Sequence, residues 1–471
     1  MKYTQNFIRN WWWEILCLVG YTLLAGYQLF IPPITGMADN GDFPKVLAHL
    51  DLCDNTREHD KFFYVYSFYD IDPACHWESG ITSSESLFPR VNKQIAEWTG
   101  RNRFSVQGAG KGHLLVVLAA FAILLWALHD ARPALRFALP PLLLLIFSDV
   151  AYVAYLNSFY FDAASMVFLL LATALLVAAA LRPGRAWLPI AFALAAGLYV
   201  TSKTQHAILG PLLAAVGLCF GLREPGFKAA LWIAAAATTL LATAIMFHLT
   251  DVDYRVHPLY NLIFYRLTTR WPAGQTLAEL GLPNADLKFV GTHSYTPGNP
   301  TTDPAWEKQF LTQTSYSKLI PYYVGHPHIA FTLLWDTLRN DGPGLRPLNI
   351  GNYRQEDGFS PGALAHRFDA WTKLRVHLIA YFPVHMIIFY AVMLLGSFAC
   401  LFLGNLAARW PLYPLTLALS IGGIIEFSFS ALLDCVENAR HLFLFHVITE
   451  LLIVFAVAAI LSRRPAQLRS S

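Results

Sequence analysis

The sequence predicts an all-α polytopic membrane protein with about ten transmembrane helices and two large extracytoplasmic loops. Three observations carry this. Of 471 residues, 55% are hydrophobic and only 14% charged, against about 25% charged in ordinary soluble chains. Mean hydropathy is +0.42. The apolar residues fall into many separate runs near the ~20 residues that cross a bilayer, not into one core.

The candidate spans are 14–31, 113–129, 137–156, 161–181, 187–202, 206–222, 229–249, 376–403, 410–430 and 441–461. The run 376–403 is long enough to be tilted or to begin as an interfacial helix. Short connections fix the orientation. Lys2 and Arg9, Arg132 and Arg136, Arg182 and Arg185, Arg223 and Lys228, Arg409, and the tail residues Arg463, Arg464 and Arg469 all fall on one side. This positive-inside pattern puts both termini in the cytoplasm, with Trp11-Trp12-Trp13 at that interface. The first span shows no small-residue cleavage site and reads as a retained anchor. The chain then divides into 1–31 (first helix), 32–112 (first outer loop), 113–249 (spans two to seven), 250–375 (second outer loop) and 376–471 (last three spans and tail).

Both loops are rich in Tyr, Trp, His, Asp, Asn, Pro and Gly. Helical signals lie near 43–50 and 85–98 in the first, and near 304–318 and 328–339 in the second. Gly342-Pro343-Gly344 and Asn349-Ile350-Gly351-Asn352 read as turns. Cys53 and Cys75 share the first loop, where an oxidising compartment would permit a disulfide. The net charge of +3 and the lack of a basic block give no reason to expect a nucleic-acid partner. No P-loop or Gly-rich strand–helix turn offers a nucleotide site.

Four polar knots fall on the outer face, each where a span meets a loop. Ala38-Asp39-Asn40-Gly41-Asp42-Phe43 follows the first span. Its carboxylates suit proton abstraction or metal binding; the bland alternative is a turn, with Asp42 capping a short helix. Asn157-Ser158-Phe159-Tyr160-Phe161-Asp162 is a connection so short that Asp162 lies near membrane depth, where charge is costly without a task. The alternative is a helix-start carboxylate. In Thr201-Ser202-Lys203-Thr204-Gln205-His206, Lys203 suits a lipid phosphate, or snorkels to headgroups. In Asp434-Cys435-Val436-Glu437-Asn438-Ala439-Arg440-His441, Arg440 is a second phosphate candidate oriented by Glu437, unless the two form an ordinary surface pair. Glu426, and the pair His446 and Glu450, lie inside spans and suit helix–helix pairing or a proton path. Asp149 reads as satisfying polar neighbours in the bundle. His326 and His328 lack a third metal ligand.

At these residues the chain resembles the GT-C superfamily of membrane glycosyltransferases. More narrowly, Asp39-Asn40-Gly41-Asp42-Phe43, Asn157-Ser158-Phe159-Tyr160 and Arg440-His441-Leu442-Phe443-Leu444-Phe445 are similar to bacterial surface-glycan hexose transferases. The resemblance implies a polyprenyl-phosphate sugar donor, a glycan or lipid-linked acceptor, contact with membrane lipids and a place in a bacterial inner membrane. It implies catalytic roles for Asp39, Asp42 and Asp162, and substrate-binding roles for Asn40, Asn157, Lys203, Gln205, Arg440 and His441. Asp39 or Asp42 would be the general base of an inverting transfer. A divalent cation (Mg or Mn) is an option the superfamily leaves open. Three rivals remain: a polysaccharide polymerase or ligase using loop-two residues such as Arg339, Arg346 and Arg354; a lipid-linked-sugar flippase, against which the lack of an internal repeat counts; and a non-catalytic assembly subunit.

Overall fold

The computed structural model describes residues 2–48, 50–53, 60–75, 81–250, 253–402 and 412–462. Among the described residues, eight helices are long and apolar enough to cross a membrane: Asn10–Phe30, Val106–Leu128, Phe161–Leu181, Thr204–Gly221, Gly226–His248, Val384–Leu401, Tyr413–Leu432 and Asn438–Leu461. A ninth span is broken, Pro133–Phe147 and Val150–Leu156 meeting at 66°. The expected tenth, 187–202, is the shorter helix Trp187–Val200. Its 14 residues rise only about 21 Å, less than the ~30 Å hydrocarbon core.

The other departures have local causes. The long run 376–403 is two helices, Ala370–Tyr381 and Val384–Phe402, because Pro383 interrupts the ladder. The second span begins at Val106, so the first loop closes earlier than 112. The break in the ninth span falls at Ser148–Asp149. There Asp149 accepts Ala151 N–H at 3.0 Å and Thr372 N–H at 2.9 Å, which is the polar satisfaction expected of it.

Helix Phe161–Leu181 is the hub. Its most apolar window is 83% buried, against 17% for Val384–Leu401. Small residues let neighbours approach: Ala163, Ala164, Ala172, Ala174 and Ala178 are buried in the common core. The peripheral helix shows Ile387, Ile388, Val392 and Leu395 on its outside, as a lipid-facing helix should. At one end of the bundle Arg136 pairs with Glu14 at 2.6 Å, Arg182 with Asp130 at 2.6 Å, and Trp11 stacks on His129 at 3.7 Å. These basic connections share an end, as the charge pattern requires. Arg409, Arg463, Arg464 and Arg469 lie outside the described residues.

At the opposite end the two loops differ from an all-helical expectation in one respect. The first contains an antiparallel three-stranded sheet, β1 (Leu52–Cys53), β2 (Phe68–Ile71) and β3 (Arg103–Ser105), in that order. Cys53 and Cys75 form a disulfide. Helices Phe43–Leu47 and Leu87–Trp98 match the helical signals. In the second loop, helices Pro304–Gln313, Tyr316–Gly325 and Pro327–Asp336 replace the two stretches expected.

Segment 34–38 threads between the membrane helices and loop two. Met37 N–H reaches Asn157 O at 3.3 Å, while Gly36 and Ala38 N–H reach Asn352 O at 3.0 Å and Gly351 O at 2.9 Å. Asn157 is fully buried, and its amide donates to Leu29 O and Thr35 O, both at 2.9 Å. A Cβ on Gly110 would collide with the Asn157 side chain, so only glycine admits this closure.

Candidate functional site

The four polar knots converge. Asp42 Oδ2 lies 2.5 Å from Arg440 Nη1, and its Oδ1 lies 2.7 Å from Lys45 Nζ. The same Arg440 Nη1 is 3.9 Å from Asp162 Oδ2. Asp162 Oδ1 is 3.1 Å from Lys203 Nζ and 3.7 Å from His206 Nε2. The chain continues from His206 Nδ1 to Glu426 Oε1 at 2.9 Å, and Gln205 Nε2 donates to Glu426 Oε2 at 3.0 Å. Arg440 also holds Glu437 Oε2 through Nη2 at 3.1 Å. Residues 397 positions apart, Asn40 and Glu437, hydrogen-bond directly.

Burial removes two of the bland readings. Arg440 is 5% exposed and Lys203 4%. Neither is a surface pair or a snorkelling side chain. Burying several charges together is expensive even when they are paired, so such a cluster at a bundle end points to function.

The structure separates Asp39 and Asp42, which the sequence leaves equivalent as candidate bases, and moves the expected capping from Asp42 to Asp39. Asp42 occupies the cap position of helix Phe43–Leu47 but makes no side-chain capping bond. Asp39 does the local work: its Oδ1 accepts Gly41 N–H at 2.7 Å and Phe43 N–H at 3.1 Å. Gly41 permits this turn with φ +101°. Asp42 is thereby left to the cations. Arg440 and then Lys45 hold its carboxyl well below the usual carboxylate range, outweighing the effect of burial. Tyr160 ties the knot. Its hydroxyl donates to Ala38 O at 2.9 Å and accepts Asn40 N–H at 3.0 Å, while the Arg440 guanidinium lies 5.2 Å over its ring.

His441 Nε2 meets Asp434 Oδ2 at 3.1 Å. Burial raises the Asp434 carboxyl to about 6, two backbone N–H groups notwithstanding. Asn157 stands apart from the ion pairs, its amide engaged by backbone carbonyls.

Sequence reasoning missed several partners. Glu85 is completely buried, accepts Ala164 N–H at 3.1 Å, and faces His113 Nε2 at 3.1 Å. It holds the first turn of the hub helix that carries Asp162, and burial pushes its carboxyl up. Lys45 was legible only as three residues beyond Asp42. Glu426, expected to pair across helices or to serve a proton path, takes its partners Gln205 and His206 from the Lys203 knot. Below the cluster, Glu450 pairs with Arg375 at 2.9 Å and accepts Tyr152 O–H at 3.0 Å. The expected pairing across helices is real, though His446 takes no part in it.

A divalent cation does not fit this donor set. Arg440 Nη1 occupies the space shared by Asp42 and Asp162. Among the described residues, the one group of three convergent ligand types is Cys53, Asp72 and Cys75, and its two cysteines are disulfide-bonded. His326 is paired with Glu279 at 2.6 Å instead.

The fold and the cluster together define a multi-pass integral membrane protein with a buried, mixed-charge site at one end of its helical bundle. A family model described as the YfdI N-terminal transmembrane domain matches residues 1–471. The chain belongs to that family. No curated protein and no solved structure matches it.

Proposed function

We propose that the protein is a glycosyltransferase that moves a hexose from a polyprenyl-phosphate donor to a glycan or lipid-linked acceptor at the outer face of a bacterial inner membrane. The observation that carries this reading is the sharing of Arg440 by Asp42 and Asp162, with Lys203 on the far side of Asp162. Cations and carboxylates alternate within one buried cluster. Family membership, in a group of glycosyltransferase-related membrane proteins, points the same way.

The alternation suggests how the reaction is timed. Without donor, Asp42 is a poor base, because Arg440 and Lys45 hold its proton affinity low. A donor phosphate competes for Arg440 and Lys203. As the cations turn to it, Asp42 gains proton affinity. The acceptor hydroxyl then gives its proton to Asp42, and its oxygen bonds to the anomeric carbon from the face opposite the phosphate. The carbon–oxygen bond to the phosphate breaks with inversion, and the leaving phosphate keeps the electron pair. Arg440 and Lys203 stabilise the charge that develops there. In this scheme Asp162 holds Lys203 and Arg440 in place, Asn40 and His441 border the sugar, Gln205 supports Glu426, Asp39 shapes the turn that presents Asp42, and Asn157 fixes segment 34–38.

One observation favours a second base. Asp434, raised to about 6, titrates nearer neutral pH than Asp42 does. Purified wild type, Asp39→Asn, Asp42→Asn and Asp434→Asn, assayed for hexose transfer and for the configuration of the product, separate these assignments. Loss of about 10²–10⁴ in rate confined to Asp42→Asn supports the scheme. The same loss confined to Asp434→Asn moves the base to loop end 434. Full activity in all three removes the carboxylates from the chemistry. The polymerase reading has less support: Arg346 closes onto Asn352 at 2.8 Å, and Arg354 onto Asp357 at 2.7 Å, so both are engaged in holding loop two together.

A further inference from the structure

A cavity of about 470 Å³ lies in loop two, beside the charged cluster but outside it. Its size falls in the range of small-molecule sites, roughly 300–1,000 Å³. Two π-helical segments build it, Asn261–Leu267 and Thr337–Asp341. Such turns are rare and cluster at functional sites. Their extra residue per turn brings Tyr265 and Arg266 from one side, and Asn340 and Asp341 from the other, to the same hollow.

The charges in the lining cancel. Arg270 pairs with Asp336 at 2.5 Å. Arg266 is held by Thr337 Oγ1 at 2.9 Å. Asp341 accepts Asn438 Nδ2 at 2.9 Å. Two arginines face two aspartates, so the cavity offers no net charge to a phosphate. It offers instead fixed donors and acceptors, and the half-exposed ring of Tyr265. Asn340 is exposed there. A flat aromatic face beside paired polar groups suits a neutral sugar ring.

The cavity also adjoins the cluster. Cys435 and Asn438 line it, while Arg440, in the same short segment, pairs with Asp42. Segment 435–440 therefore borders both sites. We infer that this cavity is the subsite for a neutral saccharide of the acceptor, seated beyond the sugar that reacts. The inference rests on the transferase reading above and names its acceptor class as a glycan.

Ligand-observed saturation-transfer NMR on the detergent-purified full chain tests it. The probes are the methyl glycosides of glucose, galactose, rhamnose and N-acetylglucosamine, with sodium phosphate as competitor. Wild type is expected to transfer saturation to at least one glycoside. That signal should fall at least five-fold in Tyr265→Ala/Asn340→Ala, survive in large part in Tyr265→Phe, and resist an equal concentration of phosphate. Both substituted residues are exposed, and thermal unfolding checks that the double variant folds. No signal from any glycoside, a signal unchanged in the double variant, or its displacement by phosphate overturns the inference. The same preparation, supplied with a lipid-linked glycan acceptor, is assayed for release of polyprenyl phosphate from polyprenyl-phosphate hexose. Glycoside binding without release would sink the transferase reading and with it the acceptor role, leaving a saccharide-binding site only; release without glycoside binding would sink the subsite alone.

Discussion

The two outer loops are folded on different principles. The first has its apolar residues in the bundle's own core: Leu47, Val65, Tyr69 and Phe104 belong to the same buried cluster as the hub helix. The second closes a cluster of its own around Tyr260, Phe264, Leu277, Phe310, Tyr322 and Leu333. Side chains carried by the first loop are thus fixed to the membrane helices, which is what a reacting carboxylate needs. Those carried by the 253–341 part of the second loop sit mainly on this second cluster, which Leu432 and Leu433 of the bundle pack against. Asp42 comes from the first kind of region and the polar cavity from the second.

Cutting into each core sharpens this contrast most strongly. Phe104→Ala and Phe310→Ala should each cost about 3–5 kcal/mol, but in different places. Phe104→Ala is expected to lower the thermal midpoint of the whole protein. Phe310→Ala should speed proteolysis within 253–341 while the spans keep their midpoint. A shared loss in both would break the comparison. Next, Lys203→Ala leaves Asp162 with a weakened set of partners. Losing one member of a buried pair costs about 3–5 kcal/mol, so a lower midpoint is expected together with lost turnover, and Lys203→Arg should restore stability more fully than turnover.

Smaller effects follow. The Cys53–Cys75 disulfide closes a sequence separation of 22 residues, worth about 3 kcal/mol on the chain-entropy view. Cys53→Ser/Cys75→Ser should loosen the first loop, seen as faster hydrogen exchange at β2 and β3. Gly110→Ala pushes a methyl group into Asn157 and should cost about 1–3 kcal/mol in thermal stability. Asp434 gives a pH signature. With its folded value raised to about 6, the folded chain holds a proton between about pH 4 and 6 that the unfolded chain has released. Stability therefore falls as pH rises through that window. Asp434→Asn should flatten this part of the profile and gain about 1–3 kcal/mol above pH 6.

How much of this was legible beforehand depends on range. Spans are encoded by composition over ~20 residues and were mostly read to within a few positions; the exceptions are the runs divided at Pro383 and at Ser148–Asp149, the second span, which begins seven positions earlier than expected at Val106, and 187–202, which is a shorter helix. The four knots were found because polar residues at span ends are conspicuous, and the structure brings them together. The sheet in the first loop was not legible. Its strands are two to four residues long, too short for an alternating pattern to stand out. Nor was the pairing of Glu85 with His113, which joins segments 28 residues apart, or of Glu426 with His206, 220 apart. Asp39 and Asp42 look equivalent in sequence. Only the turn geometry, with Phe43 N–H reaching back to Asp39, tells them apart.

The central claim is that the Asp42–Arg440–Asp162–Lys203 cluster is the reacting site. Its most direct test is the rate at which purified protein, supplied with a lipid-linked glycan acceptor, releases polyprenyl phosphate from a polyprenyl-phosphate hexose, comparing wild type with Arg440→Gln. Arg440 touches both Asp42 and Asp162. The account predicts release by wild type and a fall of at least about 10²–10³ in the variant, with thermal unfolding showing that the variant is folded. Wild-type release that persists undiminished in folded Arg440→Gln would contradict it.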